Sequence, residues 1–333
     1  MAQFATEAMF QELKNELKQK NLFRKRTKFY LDYFVIAFTG VLLGLYIITL
    51  SDSIIIQSLN GIFLGVVFMQ IGFIGHDACH GQIFKSKWAN RLLGKFCFGI
   101  TLGISEDHWY KQHNTHHKEV NHATHDPDLD IPFIFDKHQS IDCLSWAMRK
   151  ILPYQHYIFF LSMPVWALSK LSRVFIDNLI DMSWRGFGEI VISIIHFSIL
   201  FYLLFTYLSP LTILFFLAAH FATTGFYMGL AFAPNHKGEE MIPEDGKISW
   251  INQITSTRNL HMNKLIYHAT GGLNLQIEHH LFPYMPRANY PDAQPIVKDF
   301  CRKYNIEYSE MTLLESLKEI YTVLKANSTR LNV

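Results

Sequence analysis

The sequence predicts an all-α integral membrane protein. Four transmembrane helices form two hairpins, further helices lie at the interface, and a cytoplasmic helical cap holds a site for two metal ions. Three observations predict this. Four apolar segments are each long enough to cross a bilayer, which takes about 20 residues. Lys and Arg are confined to the stretches outside those segments. Seven of the 17 histidines fall in three tight clusters: His76-Asp77-Ala78-Cys79-His80, His113-Asn114-Thr115-His116-His117 and Gln276-Ile277-Glu278-His279-His280.

The apolar segments run approximately Phe29–Leu50, Ser53–Ile74, Glu189–Tyr207 and Leu211–Ala233. The first two are joined by Ser-Asp-Ser and the last two by Leu-Ser-Pro, so each pair reads as a tight hairpin. Seven Lys and Arg lie between Lys14 and Lys28, and none between Phe29 and Phe84. By the positive-inside rule, both termini and the central connection are cytoplasmic, and the two short turns face outward. On that topology all three histidine clusters fall on one membrane face. Between the hairpins, Leu92–Ile104 and Ile151–Leu171 are apolar but interrupted by Lys95, Pro153, Pro164 and Lys170, which suits helices at the interface. Near the C-terminus Leu313, Leu317, Ile320 and Leu324 form an apolar stripe after a Thr312/Glu315 capping box. The expected organisation is an N-terminal cytoplasmic segment (1–28), a membrane body (29–300) and a C-terminal helix packed on the cap (301–333).

Composition agrees. Half the residues are hydrophobic, 28 are Phe, and 17% are charged, against about 25% in a soluble domain. A net charge of +2 gives no basic field of the kind nucleic-acid binders carry. Cys79, Cys97, Cys143 and Cys301 are scattered, which argues against a disulfide framework or a thiolate cluster. The polar N-terminus lacks the order of a signal peptide.

On a helix, residues three and four apart share a face. His76 therefore neighbours His80, His113 neighbours His116 and His117, and Gln276 neighbours His279 and His280. Imidazole suits zinc, copper, iron and nickel. The set exceeds the three or four ligands of a usual zinc site, which points to two metals and to redox work on an apolar substrate. Breaking an unactivated C–H bond needs a cofactor, and a pair of irons that reduces dioxygen could serve. Asp77, Glu106, Asp107, Asp126, Asp128 and Glu278 are candidates to orient ligating histidines. Trp109 shares a helix face with His113. His196 and His220 sit inside spans, and His220 lies roughly 24 Å along the helix from His236, too deep for the metal site. His138 and the remaining histidines are not expected to be ligands.

Over residues 50–300 the chain resembles the membrane fatty acid desaturases, a family with three histidine boxes and two pairs of transmembrane helices. His76-Asp77-Ala78-Cys79-His80 matches the HDxxH box and His113-Asn114-Thr115-His116-His117 the HxxHH box. Gln276-Ile277-Glu278-His279-His280-Leu281-Phe282-Pro283 is similar to the QIEHHLFP box of the front-end subgroup. The resemblance implies a di-iron centre held by His76, His80, His113, His116, His117, His279 and His280. It also implies a further ligand, His236, with Asn235 assisting through water. Gln276 stands where many relatives have histidine, and the front-end relatives share it.

The implied activity is O2-dependent insertion of a cis double bond into a fatty acyl lipid or acyl-CoA. A lipid hydroxylase or sphingolipid desaturase has the same boxes. A metal transporter would instead place its ligands along the spans. The His-Pro-Gly-Gly mark of a fused cytochrome is absent. Electrons are therefore expected from a separate ferredoxin or b-type cytochrome with its reductase, and the expected location is a bacterial plasma membrane.

Overall fold

The computed structural model describes residues 2–129, 131, 134–135, 144–181, 183–261 and 263–329; His138 and Cys143 lie outside them. After α1 (Ala2–Gln19) come the apolar helices α2 (Thr27–Leu50) and α3 (Ile54–Cys79). Helix α4 (Lys87–Lys95) runs into a π-helical turn, Phe96–Thr101, followed by α5 (Glu106–Lys118). Next are α6 (Trp146–Ile151), α7 (Gln155–Ser162) and α8 (Trp166–Asp181), joined by single 3-10 turns at the two prolines. The second apolar pair is α9 (Trp184–Tyr207) and α10 (Pro210–Phe232). Short helices α11 (Asn252–Thr255), α12 (Lys264–Ala269) and α13 (Gln276–Leu281) precede α14 (Tyr290–Lys303) and α15 (Leu313–Thr329). Strands β1 (Asn259–Leu260) and β2 (Glu310–Met311) pair in parallel, a small departure from an all-helical chain.

Two compact units result: Met1–Lys25, Gln112–Leu161 and Ala231–Val333 form one, and Arg26–Lys111 with Ser162–Leu230 the other. The second contains the membrane helices. Among the described residues, four helices have the length and hydropathy of spans. Side chains near their turns satisfy backbone polar groups at the helix ends. Gln57 Nε2 donates to the carbonyls of Ile47 (3.0 Å) and Ser51 (2.7 Å), and Asn60 Nδ2 to that of Gly44 (3.0 Å). Gln57 thereby caps the otherwise orphaned end of α2, and Asn60 adds a bond to a carbonyl within the helix. Asp52 accepts from the amide of Ser209 (2.7 Å), and its own carbonyl accepts from the Thr212 hydroxyl (3.0 Å), so the two hairpin turns are tied to each other.

Helix α3 is longer than the apolar run predicted. Its 26 residues span roughly 39 Å, more than the ~30 Å hydrocarbon core. Nothing in Gly75-His76-Asp77-Ala78-Cys79 breaks a helix, so the first histidine cluster is its last turn rather than a segment after it. Gly81, at φ +68°, ends it: its amide and that of Gln82 donate back to Ala78 and Asp77. Beside this end lies a charged group. Lys95 pairs with Glu189 (2.5 Å), Glu189 accepts from the first amide of α5 (2.9 Å), and Arg91 pairs with Asp107.

In the other unit, α1 supplies Leu13 and Leu17 to a core with Ile277, Phe282, Met285 and Val297. The Phe10 ring stacks on that of Phe282 at 5.5 Å. Arg258 is fully buried and pairs with Glu239 (2.6 Å) and Glu319 (2.7 Å), which fastens α15. The predicted capping box is present: the Thr312 amide donates to Glu315 (2.8 Å), and the Glu315 amide to the Thr312 hydroxyl (3.2 Å).

Candidate metal centre

In the membrane unit His76 and His80 sit one turn apart at the end of α3, their rings 4.7 Å apart and edge-on. The Nδ1 of His76 lies 2.9 Å from Asp77 Oδ1. A carboxylate there keeps the proton on Nδ1 and leaves Nε2 with its lone pair outward. Trp109 packs edge-on against His76 at 5.5 Å and tilted at 36° against Phe98 at 4.6 Å.

The other unit gathers the remaining candidates. The 3.6-residue period puts His113, His116 and His117 on one face of α5. His113 and His117 point their Nε2 atoms at each other across 3.1 Å. Two imidazoles on one ion, each about 2.0–2.1 Å from it, have nitrogens about 3 Å apart at a right angle. His116 is clamped by Asp126, both of whose oxygens lie 3.0 Å from its Nδ1. Asp126 is fixed in turn by the amides of Asn121 (2.8 Å) and Asp128 (2.9 Å).

Helix α13 is buried along its whole length. Asn259 accepts from the Ile277 amide (2.9 Å) and donates to Glu278 (2.8 Å), whose other oxygen accepts from Tyr308 (2.9 Å). Burial pushes Glu278 up to about 7 despite these bonds. Glu278 therefore anchors the helix, while His279 and His280 are turned elsewhere. The Nδ1 of His279 meets the Tyr290 hydroxyl at 3.0 Å. That of His280 meets Gln253 Oε1 at 3.0 Å, and the Gln253 amide also donates to the His117 carbonyl (2.9 Å).

His236 follows the 3-10 turn Ala233–Asn235 that ends α10. Asn121, at φ +51°, donates to the carbonyls of His236 (3.2 Å), Glu240 (3.2 Å) and Ser256 (3.0 Å) and so holds this segment. His116, His236 and His280 each offer a ligand atom, all within 4.8 Å of one another. Gln276 lies beside them, its amide nitrogen 2.9 Å from His236 Nε2 and its oxygen 3.4 Å from Asn235 Nδ2. A half-turn of the Gln276 amide would exchange donor for acceptor at that point.

The residues fit a metal. His280 Nε2 is buried with no hydrogen-bond partner, as is Asn235 Oδ1. Burial first, and the neighbouring rings second, hold His280 well below the usual imidazole range. Burial, His116 and Arg258 do the same for His236. Both rings are therefore neutral, the form that ligates. Isolated from water, so many converging lone pairs would be costly without a cation among them.

Of the carboxylates expected to orient histidines, Asp77 and Asp126 do so. Asp128 stands off at 3.8 Å from His116. Glu278 serves Asn259 and Tyr308 instead, and Asp107 pairs with Arg91. Glu106 accepts a 3.6 Å contact from Cys79. Inside the spans His196 meets the Ile100 carbonyl (3.0 Å), and His220 packs edge-on against Phe68 (4.8 Å). Gln253, Tyr290 and Asn121 were missed. Nothing in their spacing connects them to the histidines they serve; only the asparagine, a residue tolerant of positive φ, hinted at a turn.

Fold and side chains together define a multi-pass helical membrane protein with histidine groups able to hold metal. A family model described as fatty acid desaturase matches residues 55–312. The chain belongs to the fatty acid desaturase family. It is similar to the Delta(6)-fatty-acid desaturase fat-3 of Caenorhabditis elegans, 29% identical over 90% of this chain and 70% of that protein. It is also similar to fatty acid desaturase 3 of Homo sapiens, at 32% identity over 86% and 64%. With the acyl-lipid (9-3)-desaturase of Physcomitrium patens the identity is 29%, over 95% and 62%. The chain thus spans about two thirds of the length of these relatives. All three are eukaryotic and lend no support to a bacterial plasma membrane.

Proposed function

We propose that this chain is a front-end fatty acyl desaturase that inserts a cis double bond into an acyl lipid or acyl-CoA. The overall change is R–CH2–CH2–R′ + O2 + 2e⁻ + 2H⁺ → R–CH=CH–R′ + 2H2O. The observation that carries the reading is the convergence of His116, His236 and His280, with the Nε2 of His280 buried and unpartnered. The family and its similarly named relatives supply the substrate class. His76, His80, His113, His116, His117, His236, His279 and His280 are the proposed ligands, with Gln276 and Asn235 beside His236. Two irons bound there would supply the oxidising power, drawn from dioxygen, that an unactivated C–H bond demands.

The protein's own part is orientation and exclusion. Asp77, Asp126, Gln253 and Tyr290 hold the Nδ1 atoms of His76, His116, His280 and His279, so that Nε2 faces the metals. Burial of α13 keeps water from His279 and His280. Gln276, by its bond to His236, sets how strongly that ring is available to metal. The asymmetry of Lys and Arg supports a cytoplasmic active site, and a cytoplasmic ferredoxin or b-type cytochrome is the electron donor. Elemental analysis of purified protein tests the metal. Close to two irons per chain are expected, falling sharply in His280→Ala. One zinc and no iron in folded protein would contradict the reading.

A further inference from the structure

We propose that Glu119, His122 and His125 form a separate site for one divalent transition-metal ion, in the loop that follows α5. Each offers a ligand atom, and the three atoms lie within 4.8 Å of one another. None of them belongs to the set assigned to the irons. The His122 and His125 rings stack almost parallel, 4.3 Å apart at 10°. His125 Nδ1 is 3.8 Å from a Glu119 oxygen. Two imidazoles and one carboxylate are a ligand set suited to zinc and to iron(II), with positions left for water.

The site is half fixed and half adjustable. His122 is buried, and its Nδ1 lies 3.4 Å from the Thr124 amide and 3.5 Å from its hydroxyl. The backbone beneath it is pinned to another segment: the Ala123 amide donates to the Ile242 carbonyl (2.9 Å), and the Ile242 amide to that of Asn121 (3.0 Å). His125 and Glu119 are 62% and 35% exposed, free to swing inward. Ligands of one zinc ion sit about 3.4 Å apart in a tetrahedron, so closure asks for side-chain movement of little more than an ångström.

The loop also explains what occupancy would do. Asn121, next to His122, holds the His236 carbonyl, and Asp126, next to His125, clamps His116. An ion joining Glu119 to His125 would brace both supports.

The test uses the intact, iron-loaded protein with any affinity tag removed, dialysed against zinc chloride. Iron and zinc are counted together in wild type, Glu119→Gln and His125→Ala. Both changes are at exposed or half-exposed side chains, so His122 and the backbone stay in place. Wild type should take up one zinc per chain with its iron unchanged, and zinc should raise its melting temperature. Each variant should keep its iron and bind zinc more than about tenfold more weakly. Zinc uptake matched by loss of iron, equal uptake in wild type and both variants, or no uptake would each overturn the proposal.

Discussion

Replacing Asp126 by asparagine probes the support of His116 directly. One Asp126 oxygen accepts from the Asp128 amide and the other from the Asn121 amide, and both face His116 Nδ1. An asparagine has one acceptor oxygen. Whichever way it turns, one amide faces an NH2 group and loses its partner, at a cost of about 1–3 kcal/mol where that is the buried amide of Asn121 and less where it is the part-buried amide of Asp128. The bond to His116 also changes from charged to neutral, worth about another 1 kcal/mol. Loss of a partner that orients a metal-bound histidine typically weakens metal affinity by about 10- to 100-fold. Asp128→Asn is the control, because Asp128 stands 3.8 Å from His116, is 40% exposed, and accepts from Gln112 (2.8 Å). Iron retention against a graded chelator, measured on monodisperse protein in detergent, reads the effect. Asp126→Asn should release iron at roughly a tenth or less of the chelator that wild type needs, and Asp128→Asn should match wild type. Equal retention in Asp126→Asn, or equal loss in Asp128→Asn, would refute the clamp.

Gln253→Ala removes the acceptor of His280 Nδ1 and the donor to the His117 carbonyl, and should weaken iron by about tenfold while membrane insertion is unchanged; chelator competition reads it. In metal-free protein, stability should rise with pH up to about 6.5, because the unfolded chain binds the protons of His236 and His280 at pH values where the folded state keeps both rings neutral. Each ring contributes up to about 1.4 kcal/mol per pH unit, and thermal melting across that range, if flat, would contradict their buried neutral state. Cysteine at Ser209 should react with an impermeant thiol reagent in intact cells, and cysteine at Lys118 only after permeabilisation, in a background freed of native cysteines. Labelling of position 118 in intact cells would remove the donor-facing orientation.

Much of this was legible because lipid and helical geometry leave sequence few choices. The spans announce themselves by length and by the missing Lys and Arg, and i, i+3, i+4 spacing puts His113, His116 and His117 on one face before any coordinates. Boundaries were less legible. The helix α3 carries His76 in its final turn because only Gly81 stops it, whereas hydropathy ends at Ile74. The supports of the histidines were least legible. Asp126 stands ten residues from His116, and Gln253 27 residues from His280, separations that only tertiary folding closes. Glu278, embedded among the histidines in sequence, turns to Tyr308 because adjacent residues on a helix point about 100° apart.

The most direct measurement is the acyl-chain profile of a host that expresses the protein with a competent electron donor, resolved by double-bond position and geometry. A new fatty acid with one additional cis double bond is expected, absent when His280→Ala is expressed at the same level in the membrane. A profile unchanged by the wild-type protein, or a new product that persists in His280→Ala, would contradict the desaturase reading.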